Sequence, residues 1–134
     1  MLRSWLRLVL VCSAIVMLPS CGHDQKLVSM ELQPKLGFVF EGPGAQGQFT
    51  ALGTYVHPPE TKDISNQVVW KLDIGNFGDL TQTGQMTYTR ADGCGSGNVT
   101  ATHYDDPSDP THGQTITAGA PVAGVNDGTA LCKP

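Results

Sequence analysis

Between Val68 and Ile74 the side chains alternate without a break. Val68, Trp70, Leu72 and Ile74 fall on one side of the chain, and Val69, Lys71 and Asp73 on the other. An apolar face that repeats every second residue marks a strand half-buried against a core, and this is the strongest periodic signal in the sequence. A chain built around such a strand needs further strands to pair with it and a second layer to cover its apolar face.

Shorter runs of the same kind flank it. Leu27 to Leu32 alternates with Val28, Met30 and Leu32 on one face, and Pro34 stops it. Leu36 to Phe40 continues the edge before Gly42-Pro43-Gly44 turns the chain. Gln48 to Val56 puts Phe49, Ala51 and Tyr55 on one side, with Gly53 as a bulge or a point of close approach. His57-Pro58-Pro59 breaks the ladder because neither proline can donate a backbone hydrogen bond, and the polar stretch to Asn66 reads as a loop. Leu80 to Thr83 and Gln85 to Arg90 form two strands around Gly84, the second with Met86 and Tyr88 on one face. Asp92 to Gly97 is a glycine-rich turn leading into the strand Asn98 to Tyr104. A loop from Asp105 to Gly113 follows, then a last strand from Gln114 to Ala118. About seven short strands with no helical period define an all-β chain, most simply a β-sandwich.

The balance of residues agrees. Only 15% of the 134 residues are charged, while glycine and proline number 16 and 9. Such a composition favours turns and short strands over long amphipathic helices. Beyond the first 20 residues, six Lys or Arg stand against twelve Asp or Glu, a formal charge of −6. Counterion-release binding to phosphates requires the opposite sign, so a nucleic-acid partner is not expected.

The N-terminus reads as an address. Arg3 and Arg7 precede an apolar run from Leu8 to Leu18, which is too short to span a bilayer and has the length and flanks of a signal-peptide core. Leu18-Pro19-Ser20-Cys21 resembles the lipobox of bacterial lipoproteins, in which the cysteine thiol receives a diacylglyceryl group and becomes the new N-terminus. The resemblance implies a signal peptide over 1–20, a lipidated Cys21 and a short linker over 21–26. Multiple acyl chains on one cysteine anchor a protein stably, at about 0.8 kcal/mol per buried methylene. Gly22 after the cysteine resembles lipoproteins released from the inner membrane, so the expected location is the cell envelope, and the outer membrane in a cell with two.

With Cys12 removed and Cys21 acylated, Cys94 and Cys132 remain, and two thiols in an oxidising compartment predict one disulfide. Closing a loop of about 39 residues, it would contribute roughly 4 kcal/mol in the chain-entropy model. Neither cysteine has a second Cys or His at zinc-site spacing, and no metal or other cofactor is expected. A domain over 27–120 would then be followed by a Gly- and Ala-rich tail, 121–134, tied back by this bond.

Gln48-Phe49-Thr50-Ala51, Gly53-Thr54-Tyr55, Asp63-Ile64-Ser65, Val68 with Trp70, Gly84 and Val99-Thr100-Ala101-Thr102 together resemble the group 2 bacterial immunoglobulin-like domains. The resemblance covers about Leu27 to Tyr104. It implies an immunoglobulin-like β-sandwich with Trp70 between the sheets, in a class of domains that often serve as spacers or binding modules. The chain departs from it in having no tandem copy and in the additions at Cys94 and beyond.

No nucleophile elbow or zinc-protease motif accompanies His23, His57, His103 or His112, and a non-catalytic role is expected. In an immunoglobulin-like sandwich the loop between the second and third strands meets the loop between the last two at one end. Here that would gather His57, Glu60 and Asp63 with Asp105, Asp106, Asp109 and His112, an acidic, histidine-bearing cluster suited to a cation or a basic partner. Solvated turns favoured by Asp and Pro are the competing reading of the same residues. The first strand should start at this end, and residues 22 to 26 reach only about 17 Å when extended, so the cluster would face the membrane. The leading expectation is a lipid-anchored module that binds a protein or a polysaccharide of the envelope, or serves a structural or adhesive role. Two alternatives stand beside it: a carbohydrate-binding accessory using Tyr55, Tyr88 and Tyr104 as a platform, and a small envelope hydrolase relying on His57 or His112.

Overall fold

A computed structural model describes residues 25–90 and 94–125. The segment expected to act as a signal peptide, Cys21 and Cys132 lie outside the described residues. The described residues are all-β, without helix, in ten strands: β1 (Lys26–Gln33), β2 (Phe38–Glu41), β3 (Gln46–Gln48), β4 (Thr50–Val56), β5 (Glu60–Asp63), β6 (Val69–Leu72), β7 (Gly78–Leu80), β8 (Gln85–Tyr88), β9 (Gly95–Tyr104) and β10 (Thr115–Val125). They make three sheets, ordered β1-β4-β5, β2-β10-β9-β6 and β3-β8-β7. All pairings are antiparallel except that of β2 with β10, which is parallel.

The count exceeds the expected seven for identifiable reasons. The stretch expected as one strand over Gln48 to Val56 is split at Phe49: its first part pairs with β8 and its second with β1 and β5. The Phe49 amide leaves the ladder to donate to the Gly84 carbonyl at 2.9 Å. The segment expected as a loop from His57 to Asn66 contains β5, which turns back onto β4 after the Pro58-Pro59 corner. The strand expected over Leu80 to Thr83 ends at Leu80, because Thr81 to Gly84 forms the turn into β8. Gly95, Ser96 and Gly97, expected in a turn, already lie in β9.

Two sequence-derived faces are corrected. A register shift between Leu27 and Ser29 lets both Leu27 and Leu32 face the core, whereas Val28 turns outward at 41% exposure. The tail expected from residue 121 begins later. β10 continues through Pro121 to Val125, held by β9 on one side and β2 on the other, and Ala120 and Val122 are core residues.

One core serves all three sheets. Leu27, Leu32, Phe49, Ala51, Met86 and Tyr88 come from β1, β4, β8 and the β3–β4 break, and meet Phe40, Trp70, Val99, Ala101, Ala120 and Val122 from the four-stranded sheet. The arrangement is consistent with a β-sandwich. Aromatic rings run through it: Phe40 stacks on Tyr88 at 5.9 Å, Phe77 meets Tyr88 edge-on at 4.8 Å, and Phe49 lies 6.5 Å from Trp70. Gly53 is the close-approach point expected of it. A side chain there would meet Leu27 Cδ1 at 2.7 Å and Ile64 Cδ1 at 2.8 Å.

Candidate functional site

The two segments expected to carry ligand-binding groups both connect at ends of the sheets that the register fixes. β4 ends at Val56 beside Lys26, the first residue of β1, so His57 to Glu60 lies where the first strand begins, whereas β5 runs back along β4 and leaves Asp63 opposite Leu52, level with Glu31. Gln25 confirms this from the other direction, with its Nε2 donating to Glu60 Oε2 at 3.1 Å and its Oε1 accepting from Lys62 Nζ at 2.6 Å. β9 and β10 form the expected hairpin, with Tyr104 opposite Thr115, so Asp105 to Gln114 is its connecting loop.

Within these segments the carboxylates hold their own turns. Asp63 Oδ1 accepts from the amide of Ser65 at 2.9 Å and from its hydroxyl at 2.6 Å. Those two bonds, side chain first, hold the Asp63 carboxyl below the usual aspartate range. Asp106 Oδ1 takes the hydroxyl and amide of Ser108 in the same way, and its pKa is lowered for that reason. Asp109 Oδ1 accepts from Thr111, and Asp109 Oδ2 lies 2.6 Å from His112 Nδ1; these contacts, Thr111 first, lower its pKa. Asp105 Oδ2 accepts from the Gln114 amide at 3.2 Å, across the base of the loop. Glu60 is lowered by Gln25 and then by Lys62, whose Nζ lies 3.0 Å away.

Among the described residues no three His, Cys, Asp or Glu side chains are grouped to hold a metal ion. The expected seven-residue cluster therefore does not close into a cation cage. Asp109 and His112 are brought together, Glu60 and Asp63 bond within their own segment and to Gln25, and His57 occupies an exposed corner with φ 63°. What remains is an exposed acidic loop, Asp105 to Gln114, braced from within at four points. The tyrosines do not form one platform. Tyr88 is wholly buried, while Tyr55 and Tyr104 are half-buried, the former under Lys62 Nζ at 5.4 Å from its ring centre.

A feature the sequence did not point to lies on the outer face of the four-stranded sheet. A groove of about 410 Å³ is lined by Leu36, Val39, Asp73, Asn98, Pro121 and Ala123 among others. Leu36 is 92% exposed and Val39 65%. Asp73 closes one side, its carboxylate accepting the amide of Asn98 at 2.7 Å and its side-chain Nδ2 at 2.9 Å. The available signal was the odd parity of Val39 between inward Phe38 and Phe40, which had no weight without knowing that β10 runs past Ala118.

Cys94 is not a free thiol; its expected partner Cys132 is outside the described residues. Comparison with protein-family models and with curated proteins matches none.

Proposed function

We propose that this chain is a lipid-anchored, non-catalytic module of the bacterial cell envelope, an immunoglobulin-like sandwich that presents its β9–β10 loop to a basic protein or envelope polymer. The braced acidic loop carries the reading. Asp105, Asp106 and Asp109 are spent on backbone and hydroxyl donors, which fixes the loop's shape while leaving its negative charge outward. A loop stiffened this way loses little conformational freedom on binding.

Strand order supports the immunoglobulin-like part. β3 and β4 are consecutive, β4 lying between β1 and β5 and β3 leading through β8 to β7, while β6, β9 and β10, with β2 parallel on the edge, make the four-stranded sheet. The lipobox-like Leu18-Pro19-Ser20-Cys21 supports the anchor, and Gln25 joined to Glu60 and Lys62 sets the start of the domain close to it. Fatty-acid labelling of cells tests the anchor: the wild type takes the label and Cys21→Ala does not. Capture from envelope extract tests the loop. The protein should retain a basic partner that elutes as salt rises, since exposed charges are screened over about 10 Å at 0.1 M salt.

A further inference from the structure

The groove on the outer sheet face is apolar at one end and negatively charged at the other. We propose that it docks an extended segment of a partner protein, seating an apolar side chain against Leu36 and Val39 and, two residues along, a basic side chain at Asp73. This surface is separate from the β9–β10 loop. Asn98 at the groove and Tyr104 at the loop lie about 20 Å apart along β9.

The register fixes the span. Val39 pairs with Ala123, Pro121 pairs with Asn98, and the Asp73 amide donates to the Asn98 carbonyl at 3.1 Å. The groove therefore crosses β2, β10 and β9 and ends at the residue following β6, three strand spacings or about 14 Å in all. An extended segment laid across it advances about 7 Å in two residues, and those two side chains point the same way. The apolar stem of a lysine or arginine covers the remainder, over Pro121 and Ala123.

The chemistry fits at both ends. Leu36 and Val39 stand exposed beside polar groups, the form an interaction face takes. The Asp73 carboxylate accepts from the Asn98 amide at 2.7 Å and from its Nδ2 at 2.9 Å, both neutral donors. Among the described residues it makes no ion pair, not even with Lys71 two positions before it. The Asn98 bonds, backbone amide first, hold its pKa below the usual aspartate range, so it stays ionised. They occupy two of a carboxylate's roughly four acceptor sites, which leaves room for a basic head. Glu41, exposed on the same face two residues beyond Val39, adds negative charge. A second copy of this chain, itself at −6 beyond the first 20 residues, has the wrong sign for such a surface, and a basic segment has the right one.

The probe is the peptide acetyl-Leu-Gly-Arg-amide, titrated into the isotope-labelled chain from residue 21 carrying Cys21→Ser and followed by amide NMR. At millimolar peptide the Val39, Asn98 and Ala123 amides should shift together while the Trp70 indole stays in place. Asp73→Asn keeps an acceptor for the Asn98 amide and should weaken the peptide about threefold to fivefold, as expected for one exposed ion pair. Leu36→Ser, at an exposed position, should weaken it about tenfold. Acetyl-Leu-Gly-Glu-amide should move none of the three amides. Absence of shifts with the basic peptide would overturn the proposal, as would equal binding by Asp73→Asn or by the acidic peptide. Shifts confined to Asp105 to Gln114 would overturn it while leaving the loop reading standing. Without peptide, shifts of the same amides on dilution would assign the groove to a second copy, and contacts there from the protein's own chain would show it already filled; either result overturns the proposal.

Discussion

The indole nitrogen of Trp70 donates to the backbone carbonyl of Ser65 at 2.8 Å. This bond ties the best-patterned strand to the turn that precedes it, and Ser65 passes the tie on: its hydroxyl oxygen accepts from the Ala51 amide at 2.9 Å. The carbonyl of Ala51 in turn accepts from the Ile64 amide at 2.8 Å, so β4 and β6 are joined through Ile64 and Ser65 of the β5–β6 corner. Trp70 is buried against Phe49 and its ring lies 2.8 Å from where a side chain on Gly84 would sit.

Trp70→Ala should therefore destabilise the domain by about 3–5 kcal/mol. Trp70→Phe keeps most of the packing but leaves the Ser65 carbonyl without its donor, at roughly 1–3 kcal/mol. Urea unfolding of both variants checks the order; equal losses would mean the hydrogen bond carries nothing of its own.

Acid should weaken the corner. Asp63 has its pKa lowered below 3.8 by the hydroxyl and then the amide of Ser65. A group whose folded pKa lies below its unfolded value contributes stability that is fully present above the unfolded pKa and is lost as pH falls through the folded one. The wild type should thus lose this contribution below about pH 4, and Asp63→Asn should show a shallower acid dependence there with little change in slope near neutrality. Unfolding midpoints measured from pH 2 to 7 decide it.

Gly37 and Gly44 both have positive φ, +71° and +89°, but differ in their surroundings. A side chain on Gly37 would run into the backbone carbonyl of Pro121, whereas nothing lies within 4 Å of one on Gly44. Gly44→Ala should cost roughly 1–2 kcal/mol, the conformational term alone. Gly37→Ala should cost clearly more and should free the amides that join β2 to β10, which hydrogen exchange would register at Phe38 to Glu41.

How far the sequence carried this structure depended on whether a side chain's direction could be read locally. Val68 and Trp70, Met86 and Tyr88, and Val99 and Ala101 were legible because each strand keeps strict alternation. Leu27 was not, since one extra residue at Val28 reverses the parity of β1, and the register shift exists only in the pairing with β4. Phe77, wholly buried beside Tyr88, sits between Gly75 and Gly78 in a stretch with no period at all. Of the candidate site, the hairpin loop from Asp105 was placed correctly. The convergence of carboxylates was not, because sequence gives acidic residues without saying which neighbouring hydroxyls and amides already occupy them. The groove escaped for a similar reason: Leu36, Val39 and Pro121 meet only through the parallel β2–β10 pairing, which brings together residues more than eighty positions apart.

Loop charge and loop shape can be separated. Asp106→Asn keeps acceptors for Ser108, and Asp109→Asn keeps an oxygen for Thr111, so a chain with both should hold its fold while losing two negative charges. Its unfolding free energy should stay within about 1 kcal/mol of wild type.

The claim that the β9–β10 loop is a recognition surface is tested most directly by quantitative capture from envelope extract, comparing the lipidated wild type with Asp106→Asn/Asp109→Asn. A basic partner should be retained by the wild type, released progressively by salt, and recovered at a tenth or less of that amount by the variant, a loss of about 1.4 kcal/mol or more. Equal recovery by the two proteins, with the same salt dependence, would contradict it.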